Sequence, residues 1–126
     1  YIAACSNDAM QHAILATMEH ASDYPDHIAA EFKARRDLIV SRLNAMKGVE
    51  CHKPQGAIYV FPKVTVPGMD SQELAMTLLK DGVLCSPGSA FGPSGEGHLR
   101  FAYTISQEDI SRGMDKVEAT LNRLLG

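Results

Sequence analysis

Between Lys80 and Arg112 the chain carries one strongly basic side chain, Arg100. It stands in a run, His98 to Ile105, where Leu99, Phe101, Tyr103 and Ile105 alternate with His98, Arg100, Ala102 and Thr104. Alternation of this kind sends successive side chains to opposite faces of a strand, so the apolar set and Arg100 are separated. A guanidinium on such a strand must be paired, because an uncompensated buried charge is strongly destabilising. Two partners fit. One is a structural carboxylate, with Glu96 nearest in sequence. The other is a ligand carboxylate, which the planar fork of arginine meets with two parallel hydrogen bonds and lysine cannot.

Other chemically suggestive groups carry less. The loop Pro87-Gly88-Ser89-Ala90-Phe91-Gly92-Pro93-Ser94-Gly95-Glu96-Gly97 could be read as a phosphate cradle. A strand rather than a helix follows it, so the helix N-terminus that such cradles use is missing. Its glycines fit better with backbone passing close to a ligand or a neighbouring domain. Cys51-His52 has no second ligand pair at zinc-like spacing and reads as a buried thiol beside a surface imidazole, so no metal site is expected. His98 would lie near any cleft at Arg100 by alternation, and as a strand-end residue it is expected to be exposed.

The chain has 126 residues, 45% hydrophobic and 21% charged, with a formal charge of -3. That is one domain's worth of soluble globular protein, with no electrostatic footprint for nucleic acid or an anionic membrane. No apolar run approaches the roughly 20 residues that span a bilayer. The three cysteines, Cys5, Cys51 and Cys85, are odd in number and widely spaced, as expected of a reducing, cytoplasmic setting. The first residue is Tyr1 rather than Met, and a fragment or processed product is expected.

The elements that must position Arg100 follow from periodicity. A helix is expected from about Asn7 to His20, with Asn7 or Asp8 as its cap and Ala9, Ile14, Leu15 and Met18 on one side. Ser22 to Pro25 interrupts it, and a longer helix runs from about Asp26 to Met46 until Gly48. There Ile28, Phe32, Ile39, Leu43 and Met46 form one face, with Lys33, Arg36 and Arg42 turned away. Two short strands, near Val49 to His52 and Ala57 to Pro62, are joined by the turn Pro54-Gln55-Gly56. Asp70-x-x-Glu73 opens a helix carrying Leu74, Leu78 and Leu79 and closed by Gly82, and a strand at Val83 to Cys85 leads into the glycine-rich loop. Ser106-x-x-Asp109 opens the last helix, striped by Ile110, Met114, Val117, Leu121 and Leu124. The sum is an α+β two-layer sandwich: a small, mostly antiparallel sheet with helices packed on one face and the Arg100 face left free.

Pro54-x-Gly56-Ala57-Ile58-Tyr59-Val60-Phe61-Pro62, then Gly82-Val83 leading to Pro87-Gly88-Ser89-x-Phe91-Gly92, then Gly97-His98-Leu99-Arg100, resembles the C-terminal small-domain pattern of class I/II, fold type I, pyridoxal-phosphate-dependent aminotransferases. Phe32 with Arg35-Arg36-Asp37 and Leu43 is similar to the helix linking that family's large and small domains, and Gln11-x-Ala13 resembles the large domain's last helical stretch. The resemblance implies a large-domain remnant at 1–22, a linker helix at 23–48 and the small domain at 49–126. It implies that Arg100 binds the substrate α-carboxylate and that Gly56, Ala57, Ile58 and Tyr59 line the pocket for the substrate side chain. It further implies a homodimeric enzyme acting on amino acids and 2-oxo acids.

The family's cofactor-bonding lysine, the acid for the pyridine nitrogen and the phosphate-binding groups belong to the large domain. Lys33, Lys47, Lys53, Lys63, Lys80 and Lys116 all stand in helix-face, turn or element-end positions outside the family's serine-x-x-lysine context. No catalytic or cofactor-binding residue is therefore expected in this chain, and alone it is expected to be inactive. Other readings stay open: the effector module of an aminotransferase-like transcription regulator, a lyase or synthase of the same fold type, and a non-enzymatic α+β binding module with Arg100 in a structural salt bridge.

Overall fold

The computed structural model describes residues 7–21 and 23–126, which form two units, one ending at Glu31 and one running from Phe32 to Gly126. Cys5 and Ser22, on which two expectations rest, lie outside the described residues.

In the first unit, α1 (Asp8–His20) is capped by the Asn7 side chain, which accepts from the Met10 amide. It has no buried residue, and its apolar side chains Met10, Ile14, Leu15 and Met18 are 53 to 71% exposed. α2 (Tyr24–Asn44) starts in this unit and continues into the second. It begins two residues before the position expected from sequence. Pro25 stands in its first turn, where an amide has no intrahelical partner to lose.

The second unit holds the core. Ile39, Val40 and Leu43 of α2 are buried there, and Phe32 packs against the edge of the same cluster. Arg36, expected to turn away, is instead drawn in: it bonds Asp37 and the Pro54 carbonyl with its side chain only 14% exposed. The helix ends at Asn44, ahead of Gly48, and the Asn44 side-chain amide bonds the backbone of Cys51 in both directions at 2.8 and 2.9 Å.

β1 (Val49–Glu50) pairs antiparallel with β3 (Lys63–Val64), and β2 (Tyr59–Val60) pairs with β5 (Leu99–Ala102). The first two strands are therefore not partners across Pro54-Gln55-Gly56, as the sequence suggested. The strand before the glycine-rich loop is β4 (Ser86–Pro87), not Val83 to Cys85, and it flanks β5 on the other side. The main sheet is thus antiparallel, in the order β2-β5-β4, and a bridge between Lys63 and His98 joins it to the smaller one.

α3 (Ser71–Lys80) opens on a complete capping box between Asp70 and Glu73. α4 (Gln107–Leu125) opens on the Ser106 hydroxyl, which accepts from the Asp109 amide. Leu74 and Leu78 of α3 and Ile110, Met114, Val117 and Leu121 of α4 pack with Val60, Leu99, Phe101 and Tyr103 of the sheet. The architecture is the expected α+β sandwich, with one departure in the strand alternation. Ile105, past the end of β5, is 48% exposed and leaves the apolar set.

Candidate functional site

The two faces of β5 have separate duties. Leu99 and Phe101, at 1 and 4% exposure, fill the core, while Arg100 between them is only partly covered. Register explains its surroundings. Ser86 lies directly across from Arg100 on β4, and on the other side Tyr59 pairs with Ala102, one diagonal step from Arg100. The Arg100 side chain donates to Ser86 Oγ at 3.3 Å. Its guanidinium carbon lies 4.5 Å from the centroid of the Tyr59 ring and 4.4 Å from that of Phe91, with an aromatic ring against each contact. Both rings stay open to solvent, Tyr59 by 41% and Phe91 by 52%.

The same face continues in aromatic groups. Phe61 meets Phe91 edge to face at 5.9 Å and stacks on the His98 ring at 5.1 Å, within 9° of parallel. The edge-to-face contact places the positive edge of one ring against the negative face of the other. His98 also approaches the Glu96 carbonyl through Nδ1 at 3.1 Å. It is half-buried, rather than the exposed strand-end residue expected.

Glu96, the candidate structural partner of Arg100, is engaged elsewhere. Its carboxylate accepts from the Ser71 amide at 2.7 Å, from the Ser71 hydroxyl at 2.8 Å and from the Gly97 amide at 2.9 Å. These bonds, that of Gly97 foremost and then the two from Ser71, hold its carboxyl below the usual range. Among the described residues no carboxylate pairs with Arg100. The partly buried guanidinium contacts two aromatic rings and a serine.

The loop that brings Phe91 to Arg100 is built by two short 3-10 turns, Gly88–Phe91 and Pro93–Gly95. Its strands of backbone cross at Gly88 and Gly95. A Cβ on Gly88 would lie 2.0 Å from the Gly95 carbonyl oxygen, and one on Gly95 would lie 2.0 Å from that of Gly88. The loop's glycines thus serve a close approach, of the loop to itself. The Gly88 amide also bonds the His98 carbonyl at 2.8 Å, and Ser71 Oγ bonds Ser89 Oγ at 3.0 Å, tying the loop to β5 and to the start of α3.

Within the segment Gly56 to Tyr59, Tyr59 contacts Arg100 and Ile58 is half-buried. Gly56 has open space around it. Ala57 has a positive φ of 64°, and its carbonyl accepts from the Tyr103 hydroxyl at 2.7 Å. Ser86, Phe61 and Phe91 were not among the expected site residues. Ser86 and Phe91 reach Arg100 through strand pairing and a loop crossing rather than through local spacing, and Phe61 joins them only through Phe91.

A groove of about 610 Å³ lies elsewhere, lined by Leu84, Ile105, Arg112, Met114 and Lys116 among others but not by Arg100. No His, Cys, Asp or Glu cluster able to hold a metal is present among the described residues. Burial pushes the Cys51 and Cys85 thiols up to about 11, so neither offers a thiolate near neutrality. All of the lysines, Lys33, Lys47, Lys53, Lys63, Lys80 and Lys116, are exposed. The described residues therefore do not form a site for pyridoxal phosphate, which needs an enclosed amine and a phosphate cradle.

No family model matches the chain. It is 35% identical over 124 residues to aromatic-amino-acid aminotransferase 2 of Thermococcus litoralis, covering 96% of this chain and 32% of that protein. It is 38% identical over 115 residues to a probable aspartate aminotransferase of Methanocaldococcus jannaschii, covering 90% of this chain and 30% of the relative. The structure of an alanine aminotransferase from Pyrococcus furiosus superposes with a TM-score of 0.88 at 35% identity, covering 94% of this chain and 31% of that one. The chain spans about a third of the length of the curated relatives it matches. In sequence and in fold it belongs to the fold type I aminotransferases, in the part that corresponds to their C-terminal small domain.

Proposed function

We propose that this chain supplies the carboxylate-binding side of the active site of a pyridoxal-phosphate-dependent aminotransferase, which moves an amino group between an amino acid and a 2-oxo acid. The observation that carries the reading is Arg100: a partly buried guanidinium on the face of the sheet opposite the core, in contact with two rings, with no carboxylate partner among the described residues. Two parallel charge-assisted hydrogen bonds to a carboxylate complete its bonding, and fixing that group orients the bonds at the substrate α-carbon. Tyr59 forms one wall of the same site, and Gly56, Ala57 and Ile58 shape the turn that delivers it.

The cofactor belongs to protein beyond the matched third, since the residues here do not suit it, and no step of the chemistry is assigned to this chain through it. In the intact enzyme we place a remnant of the large domain at 1–22, the linker helix at 23–48 and the small domain at 49–126. The enzyme is proposed to be a cytoplasmic homodimer with no nucleic-acid or membrane partner. In support, no described helix is long and apolar enough to cross a membrane.

Arg100→Lys in the full-length protein tests the reading. A point charge cannot reproduce two parallel bonds, and the charged contact at stake is worth about 1.5–3 kcal/mol, so kcat/KM should fall by roughly tenfold or more. Folding stability should change little, because Arg100 is outside the apolar layer. Unchanged efficiency toward every amino acid tried, or an unfolded variant, would refute the carboxylate clamp.

A further inference from the structure

We infer that Phe91 and Tyr59 are positioning residues for the Arg100 guanidinium: they fix its plane, so that only its edge is offered to a ligand. The inference rests on the carboxylate-binding reading of Arg100 and assigns the site a part that reading lacks.

An arginine side chain has several rotatable bonds, and ordering them on binding offsets the affinity gained from the contact. Here the ordering precedes the ligand. Tyr59 and Phe91 contact the guanidinium at 4.5 and 4.4 Å, and Ser86 takes one of its donors at 3.3 Å. Two rings in contact with the cation restrict the rotation of its plane, and a carboxylate forms two bonds only by approaching in the plane of the fork.

Core packing does not account for Phe91, which is 52% exposed. It is delivered from a distance, by a loop pinned at the Gly88–Gly95 crossing, at the Gly88 to His98 hydrogen bond and at the Ser71–Glu96 contact, and it is braced from the side by Phe61. Several independent contacts thus hold an exposed ring over one cation. Tyr59 comes from the other side, on a strand, so the two walls have separate origins and can be removed separately.

The experiment is steady-state kinetics on the full-length protein, with the amino acid it turns over fastest and the matching 2-oxo acid. Four variants are compared: Phe91→Leu, Phe91→Tyr, Tyr59→Leu and Arg100→Met. Phe91→Leu should raise KM for both substrates by about fivefold to tenfold, in equal proportion, with kcat within about twofold. Phe91→Tyr keeps a ring face and should restore the parent KM. Tyr59→Leu should repeat the effect from the other wall, which covers the case of one leucine variant folding poorly. Arg100→Met separates the two levels of the argument. If Arg100→Met raises KM strongly and both leucine variants leave it unchanged, the positioning role of Phe91 and Tyr59 is wrong and the role of Arg100 survives. If Arg100→Met itself leaves KM unchanged, the carboxylate reading falls and the positioning role falls with it.

Discussion

Tyr103→Phe isolates a single bond that shapes the turn before Tyr59. Tyr103 is 1% exposed, and its hydroxyl donates at 2.7 Å to the carbonyl of Ala57, an exposed residue with φ at 64°. A left-handed backbone at alanine costs about 1–2 kcal/mol and persists only where neighbours enforce it. Here the neighbours are the Tyr103 hydroxyl and the Tyr103 amide, which donates to the Ile58 carbonyl at 3.0 Å. Removing the hydroxyl leaves an acceptor that water can reach, so the loss belongs at the low end for a broken hydrogen bond, about 1 kcal/mol. With a urea slope of roughly 1–3 kcal/mol/M, the midpoint of the 126-residue chain should fall by about 0.3–1 M.

Substitutions at the turn provide the control. Ala57→Gly relieves about 1 kcal/mol of backbone strain and gains a similar unfolded-state entropy, so its unfolding free energy should stay within about 0.5 kcal/mol of the parent. Ala57→Val places a branched side chain at the same φ and should cost about 2 kcal/mol. Equilibrium urea unfolding followed by circular dichroism measures all three. An unchanged midpoint for Tyr103→Phe, or a loss beyond about 3 kcal/mol, refutes the reasoning; so does an Ala57→Val variant as stable as the parent.

Gly95→Ala puts a methyl group 2.0 Å from the Gly88 carbonyl oxygen, so the loop must shift, and urea unfolding should show a loss of about 1–3 kcal/mol. Glu96 has a depressed folded-state pKa, so its contribution is present above the ordinary value of 4.5 and lost as pH falls through the depressed one. Glu96→Gln should therefore flatten the midpoint-against-pH curve on the acid side, and an unchanged curve would remove the Ser71–Glu96 contact from the account. With thiols pushed up to about 11, Cys51 and Cys85 should react with iodoacetamide at pH 8 far more slowly in the folded chain than in urea, as mass spectrometry of the labelled peptides would show.

What could be read from the sequence was local. The alternation through Leu99, Arg100 and Phe101 located the free face, and Asp70-x-x-Glu73 and Ser106-x-x-Asp109 located two helix starts, because each is decided within a few residues of chain. What failed was decided across space. β1 took β3 as its partner rather than the segment after Pro54, a choice that local spacing does not encode. Val83 to Cys85 has the apolar composition of a strand, yet the sheet hydrogen bonds begin at Ser86, and Leu84 is left 82% exposed. Glu96, four residues from Arg100, was the natural partner by sequence distance. The loop crossing turned it toward Ser71 instead. Phe91 shows the same effect in reverse, nine residues away along the chain and in contact with the guanidinium.

The two-sided duty of β5 bears on how such a chain can vary in length. One four-residue strand serves the core with Leu99 and Phe101 and the open face with Arg100. Inserting or deleting a single residue just ahead of it would exchange the two sets, driving the guanidinium inward and two large apolar side chains into water. Folding yield and ligand recognition would fail together, and no second substitution nearby could rescue one without the other. Length changes should therefore be tolerated at turns such as the one around Gly68, where the backbone has open space, and be purged from the stretch between Gly97 and Tyr103. A library of single-codon deletions scanned across the gene would show this as a sharp gap in survivors over a strand whose individual positions still accept substitution.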